Sequence, residues 1–557
     1  MRSAACQAAT PASLPAYPTR QKYRPRNLKA LARALALAIA FCLSALSQTQ
    51  LVTFRSPVED SQQPYAVYAP SPLAAGRRYP LVISLHAEHI THAINLRQVL
   101  GLGPDPLPAL RDPGMIVACP LARGTMGYEG IAEQDVYGVL ADAERRFPID
   151  PDRVYLTGIS MGGAGALRLA LTRPDVWAAV AVVCPTIAPD LEPLAANALN
   201  LPMRIFSGDE DPVTPVAVAR AWQRRFLDLG IAAEYMEYPG VEHNSWVLAY
   251  RHGAIFEWFA SFRRNRAPAR VRFRTDSYRY RAAYWLRLDG LTPGTPATVD
   301  AKRSGNDVSV QTAGVDGFTL TLGESARPSA PLRITIDHEL LRARPAEALS
   351  FTKLGNHWHS GLSTPSGKRP GAEGPISSVF DGRQIYVYGT AGAGGPQDLD
   401  ARRRVAEEAA AWSQPSEPLN ISLPVKADSA VTPADLAAAD AVLFGTAETN
   451  RLIARLAPQL PLALDPGAAD YGLVFVAPVG ERLVLVNSGL PWWNGDPPAP
   501  AASFLPARLR LLRTFGDYVL FKGSLANVVA AGRFDRDWKL PADARAKLEA
   551  SGTVTVR

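Results

Sequence analysis

Cysteine is scarce in this sequence: Cys6, Cys42, Cys119 and Cys184 are all there is in 557 residues, and no two form a C-x-x-C pair. Zinc-ribbon and thioredoxin-type readings therefore lose their support. Cys6 and Cys42 fall in or before an export segment. Cys119 and Cys184 end predicted strands, where small buried hydrophobes are expected rather than a disulfide. Charge of one sign is not concentrated either. The 59 Lys+Arg and 52 Asp+Glu leave a formal +7, with no Lys/Arg stripe to follow a phosphate backbone, so no nucleic-acid partner is expected. The 42 Gly and 48 Pro are scattered and not periodic, which excludes fibrous and low-complexity classes. The uncharged apolar run Ala34–Leu46 falls short of the roughly 20 residues that a membrane span takes.

What that run does fit is a signal peptide. It follows Arg20, Lys22, Arg24, Arg26, Lys29 and Arg33 and ends at Ala45-Leu46-Ser47, the charged, apolar and small-residue order of an export signal. Residues 1–47 are expected to be removed, giving a periplasmic or secreted protein with no stable membrane insertion. An uncleaved anchor is the alternative.

A chain of 557 residues calls for two to four domains at roughly 100–200 residues each. Short apolar runs alternate with helical patterns from Tyr79 to Trp258: PLVISLH, GMIVAC, RVYLTG, WAAVAVVC, MRIFS and AEYMEY. Near-continuous hydrophobicity marks strands buried on both faces, and the alternation implies a doubly wound α/β domain with a mostly parallel sheet. We assign it residues 50–265. The texture changes at Arg263–Pro268, after which short alternating strands predict a β-sandwich-like module over 266–350. A Gly/Pro/Ser-rich linker is expected at 351–379. A second, smaller α/β domain of Rossmann-like rhythm is expected at 380–545. The break at 263–268 predicts that the first domain folds as an independent unit.

The strongest chemical signal is Gly158-Ile159-Ser160-Met161-Gly162-Gly163, directly after a strand and before the helical pattern Ala164–Ala170. This is G-x-S-x-G in its strand–turn–helix context, which holds a serine Oγ exposed above the sheet edge. A serine hydroxyl needs a base oriented by a third group, and in this fold the partners follow in the order Ser, acid, His. Two strand ends supply them: Gly208-Asp209-Glu210-Asp211-Pro212-Val213-Thr214-Pro215 and Tyr238-Pro239-Gly240-Val241-Glu242-His243. Asp211 is chosen as the acid with Asp209 as its alternative, and Glu210 is expected to be solvated. His243 is the base, since His252 falls inside a helical pattern. An oxyanion needs preorganised N–H donors. Met161 supplies one, and Ala87, in the loop His86-Ala87-Glu88-His89, supplies the other without the glycines often found there.

Residues 50–265 resemble an α/β-hydrolase of the prolyl oligopeptidase/dienelactone hydrolase type, a group that includes exported esterases. LVISLH, IDPDRVY, GISMGG, SGDEDPVTP and YPGVEH carry the resemblance. It implies Ser160 as nucleophile, Asp211 as acid, His243 as base and no cofactor. The expected reaction is ester hydrolysis through an acyl-enzyme, on an ester-bearing small molecule or polymer. A peptidase and a catalytically silent binding protein are the alternatives. Four other features compete for attention. His86, His89 and His92 could suggest a metal, but no H-E-x-x-H or H-x-x-E-H pattern exists, and no metal is expected. His357 and His359 flank Trp358 on an expected strand. The loop Gly389–Gly395 fits neither nucleotide fingerprint, so a flexible loop is expected. Trp492-Trp493 reads as buried packing before it reads as a sugar platform.

Overall fold

The computed structural model describes residues 49–102, 112–323, 330–362, 367–413, 419–498 and 503–557. The expected signal peptide, with Cys6 and Cys42, lies outside the described residues.

The first sheet has eight strands: β1 (Thr49–Arg55), β2 (Gln62–Tyr68), β3 (Tyr79–Leu85), β4 (Ile116–Pro120), β5 (Ile149–Ile159), β6 (Ala179–Val183), β7 (Met203–Gly208) and β8 (Ala233–Tyr238). Their order is β1-β2-β4-β3-β5-β6-β7-β8. The β1–β2 hairpin joins β4 antiparallel, and every neighbour pair from β4 to β8 is parallel. All residues of β3, β4 and β6 are buried, whereas the edge strand β8 alternates. Strands apolar on both faces need helices on both. Helix α1 (His92–Val99) covers one face. Helices α2 (Ile131–Arg146), α3 (Met161–Thr172) and α4 (Val216–Asp228) cover the other. In α2 the buried positions Ile131, Asp135, Val139, Asp142 and Ala143 recur at helical spacing. The winding reverses at β3, which lies between β4 and β5. In open α/β sheets ligand chemistry gathers at such a switch point, outside the carboxyl ends of the strands. Here that means the ends of β3 and β5.

Residues 270–360 form two five-stranded sheets around a core that includes Phe273, Val310, Phe318, Ile334, Phe351 and Trp358. This corrects the expected boundary at 350. Leu349–Leu354 and His357–Ser360 are the last two strands of one of these sheets, and they turn Phe351 and Trp358 inward. The stretch expected as linker thus starts after Ser360. Its final part is also packed, because the turn Ile376–Asp381 buries Ile376, Val379 and Phe380.

The trailing domain is a seven-stranded mixed sheet. Val425–Ala427, Gln384–Tyr388, Asp440–Phe444 and Arg482–Gly489 run parallel, and Tyr471–Val479, Tyr518–Lys522 and Val528–Gly532 continue antiparallel. The expected end at 545 is corrected too. Helix Ala542–Ala550 and strand Val554–Val556, paired with Leu462–Leu464, extend the domain further.

The expected independence of residues 50–265 does not hold for the core. The apolar cluster that includes Met126, Ile131 and Leu167 runs without a break into Phe380, Trp412, Trp492, Leu509 and Leu512 of the trailing domain. The arginines of the 263–268 segment fold back onto the first domain: Arg263 on Asp150 (2.9 Å), and Arg264 (3.2 Å) and Arg266 (2.6 Å) on Asp152. That segment marks a change of strand pattern and not a border of the core.

At the junction of the modules Glu373 accepts hydrogen bonds from Tyr278 N (2.6 Å) and Ser277 Oγ (2.7 Å). Burial pushes its carboxyl up to about 7, from an ordinary 4.5, against these bonds. A carboxyl raised on folding binds more protons in the native state, so stability falls as pH rises from the unfolded value to the folded one. We expect the melting temperature of Glu373→Gln to gain on that of the wild type between about pH 4.5 and pH 7 and to run parallel to it above. Melting curves across pH 4–8 check this, and a constant difference between the two proteins would contradict it.

Candidate active site

The chain leaves β5 at Ile159 and enters α3 at Met161, so Ser160 alone makes the reversal. It does so at φ 55°, ψ −114°. A non-glycine residue in such a region costs of order 1–3 kcal/mol and persists only where its surroundings over-determine it. They do so here: Ser160 N donates to Val183 O (2.9 Å) and Ala164 N donates to Ser160 O (3.0 Å). The flanking glycines are required by close approach. A side chain on Gly158 would collide with the Gly162 carbonyl, and one on Gly162 with the Leu85 carbonyl at the end of β3. The first turn of α3 is thereby pressed against the strand end that carries His86 and Ala87.

His243 Nε2 lies 3.0 Å from Ser160 Oγ, and His243 Nδ1 lies 2.8 Å from Asp211 Oδ2. The structure thus brings the three expected residues into one hydrogen-bonded chain. The Asp211 side chain is fully buried. Burial alone would raise its pKa, but four donors reverse the sign and hold it below the ordinary carboxylate value: the Thr214 hydroxyl and amide, His243, and the Val213 amide. The Thr214 hydroxyl is 2.6 Å away and both amides are 2.8 Å away. An ionised Asp211 accepts a hydrogen bond from Nδ1–H, which leaves the Nε2 lone pair facing the serine hydroxyl.

Asp209 has a different task. Its Oδ1 accepts from Gly240 N (2.7 Å). Together with Asp209 N to Tyr238 O (3.2 Å) and Glu210 N to Val241 O (3.1 Å), it zips the loop after β7 to the loop that carries His243. Glu210 is exposed, and so is His252. Thr214 has no motif of its own, although a hydroxyl three residues after an aspartate is a recognisable turn signal. Trp246, edge-on to His243 with ring centroids 5.9 Å apart, carried no sequence signal.

Met161 is the first residue of α3, where backbone N–H groups have no intrahelical acceptor. Ala87 follows directly on the end of β3, and among the described residues its N–H has no hydrogen-bond acceptor. Both residues lie at the switch point, Ala87 just after β3 and Met161 at the start of α3.

The three histidines of the β3–α1 segment diverge. His86 is buried between the carbonyls of Ala87 (2.8 Å from Nδ1) and Leu121 (2.9 Å from Nε2). His89 is exposed beside Glu88. His92 opens α1, its pKa lowered to about 4 by burial and, next, by His86. Among the described residues no group of three or more His, Cys, Asp or Glu is arranged to hold a metal ion. His357 and His359 point outward on either side of the buried Trp358. Cys119 and Cys184 are buried and form no disulfide, their thiols pushed up to about 12 by burial.

The loop expected to be flexible at Gly389–Gly395 is instead tied down. Arg402 donates to Ala391 O (2.7 Å), Thr390 N donates to Asp428 Oδ2 (3.1 Å), and Gly394 N donates to Asp398 Oδ2 (3.1 Å). A carboxylate thus occupies the place where a phosphate would meet the helix. Trp492 is fully buried between Phe380 and Phe444, and Trp493 lies half-buried under the Arg508 guanidinium (4.8 Å).

A protein-family model for esterases matches residues 139–246, a span that holds Ser160, Asp211 and His243. Cutinase 1 of Thermobifida cellulosilytica is 34% identical over 107 residues, which is 18% of this chain and 37% of the cutinase. Acyl-protein thioesterase 1 of Gibberella zeae is 29% identical over 124 residues, 21% of this chain and 52% of the thioesterase. Among solved structures, a thermostable esterase aligns at 22% identity with a TM-score of 0.34, covering 40% of this chain and 64% of that one. An S-formylglutathione hydrolase from Agrobacterium tumefaciens aligns at 18% identity with a TM-score of 0.32, covering 38% and 94%. The chain thus spans about a third to a half of the length of these curated relatives. Its matched segment, residues 139–246, is similar to esterases.

The geometry separates the two aspartates. We expect Asp211→Asn to lower kcat on an activated ester by about 10⁴-fold, because the imidazole loses the partner that fixes its tautomer. Asp209→Asn keeps an acceptor for Gly240 N and should cost far less. Steady-state kinetics on both variants check this, and the reverse ranking would assign the acid to Asp209.

Proposed function

We propose that this protein is an exported serine hydrolase that cleaves ester bonds through an acyl-enzyme. The observation that carries the reading is the unbroken chain from Ser160 Oγ through His243 to the buried Asp211, at 3.0 and 2.8 Å. The esterase match over residues 139–246 supports it. So does the resemblance to the prolyl oligopeptidase/dienelactone hydrolase type, with the cutinase and thioesterase likenesses pointing to an ester-bearing small molecule or polymer as substrate. Export rests on the signal-like residues 1–47.

In this mechanism His243 takes the Ser160 proton through Nε2 as Oγ attacks the carbonyl carbon. Asp211 holds Nδ1–H and stabilises the imidazolium that forms. The Ala87 and Met161 amides receive the negative oxygen of the tetrahedral intermediate. Its collapse expels the alcohol, which takes the proton back from His243. Water, activated by the same imidazole, then releases the acid and frees Ser160.

Ser160→Ala is expected to abolish turnover of p-nitrophenyl esters and covalent labelling by a fluorophosphonate, while leaving the melting temperature near that of the wild type. A peptide panel run beside the ester panel separates esterase from peptidase. Full activity in Ser160→Ala, or faster cleavage of peptides than of esters by the wild type, would overturn the reading.

A further inference from the structure

The mechanism above leaves the loop between β4 and α2, residues 121–130, without a task. Yet residues of all three modules hold it. Arg123 is fully buried and pairs with Glu59 and Asp135, each at 2.5 Å; it also donates to Asn420 O of the trailing domain (3.0 Å). A side chain on Gly127 would come within 2.7 Å of Phe504 Cβ, so the trailing domain rests directly on the backbone there. Glu129 bonds Arg513 of the trailing domain (2.5 Å) and faces Arg168 of α3 (3.4 Å). Gly130 O accepts from Arg279 of the β module (2.8 Å).

Within this loop Tyr128 spans the two oxyanion elements. It is 1% exposed and stands at φ 62°, a conformation that a bulky residue keeps only where the surroundings impose it. Its hydroxyl donates to His86 O (2.9 Å), one residue before Ala87. Its ring meets the His86 ring edge-on at 5.7 Å and lies against Gly165 of α3, where any side chain would collide with it. One phenol therefore bridges the strand end that carries His86 and Ala87 and the helix that begins at Met161. His86 Nε2, 2.9 Å from Leu121 O, fastens the other end of the same loop to the same strand end. Burial pushes the Tyr128 phenol far above its ordinary pKa, so it remains a donor throughout the working pH range.

We propose that Tyr128 is a positioning residue for the oxyanion site, and that the trailing domain, through Phe504 and Arg513, holds the 121–130 loop in the shape that lets Tyr128 act. The trailing domain is then a working part of the catalytic site even for small substrates, and not only a gate for large ones. This rests on the ester-hydrolase reading above. The test uses the full chain and a small activated ester, with rates normalised to active sites titrated by a fluorophosphonate. Tyr128→Phe removes one oxygen and nothing else. It should lower kcat by about 10- to 100-fold with KM changed less than about twofold, the signature of a misplaced group that acts in the transition state. Phe504→Ala and Arg513→Ala should lower kcat in the same way. Each combined with Tyr128→Phe should cost no more than the larger single effect, because both act through one loop. Arg513, at the rim, serves if Phe504→Ala does not fold.

A merely structural role predicts a lower melting temperature and fewer titratable sites, with an unchanged rate per site. Unchanged kcat per site in Tyr128→Phe, or effects that multiply in the double variants, would overturn the proposal while leaving the ester-hydrolase reading intact. That reading fails separately, if the wild type neither labels at Ser160 nor turns over esters.

Discussion

The structure depends on one contact, the backbone of Gly162 against the carbonyl end of β3. Because the first turn of α3 lies on that strand end, Ser160 must reverse the chain in a single residue, and it does so at positive φ. The same contact presses the start of α3 against the strand end that carries His86. From there the parallel order of β5, β6, β7 and β8 does the rest. Each strand ends on the same edge, so the loops that carry Asp211 and His243 open beside the serine. Strain at the elbow is offset by the fully buried strands around it, whose packing leaves the turn no other path.

Charges taken out of water hold the junction between modules. Arg279 of the β module joins Glu133 of the first domain to the partly exposed Asp381, and Arg123, buried with Glu59 and Asp135 of its own domain, reaches Asn420 O of the trailing domain. Buried pairs of this kind add little net stability, since desolvation consumes most of their attraction, but removing one partner is strongly destabilising. Their effect is to fix register. An apolar interface could slide by a fraction of a side chain, whereas a guanidinium between two carboxylates has one seat. The arrangement fits a chain whose core is continuous between its first and last domains.

Much of this was legible in the sequence. The inner strands stood out because a parallel sheet buried on both faces writes itself as unbroken apolar runs, and the elbow because steric crowding demands Gly158 and Gly162. Asp211 could be preferred over Asp209 from its place in the loop, and the structure gives the physical reason: three donors from Val213 and Thr214 surround it, while Asp209 is engaged by Gly240. The β module ends later than expected because the strand around Trp358, counted with the linker, pairs with Leu349–Leu354 as a hairpin, a partnership that local composition does not write. The shared core was invisible for a different reason. Phe380, Trp412 and Leu509 look like the core of their own domain, and nothing in local periodicity says that Met126 and Ile131 lie across from them. Tyr128 was illegible on the same ground, since its partners His86 and Gly165 are distant in sequence.

The central claim is that Ser160 is a nucleophile whose tetrahedral product is received by two backbone amides. The most direct measurement is a crystal structure of the full chain after reaction with a small organophosphonate. The account predicts phosphorus bonded to Ser160 Oγ, with the phosphonyl oxygen within about 3 Å of both the Ala87 and Met161 nitrogens. Phosphorus on another residue, or a phosphonyl oxygen on Ser160 turned to solvent away from those amides, would contradict it.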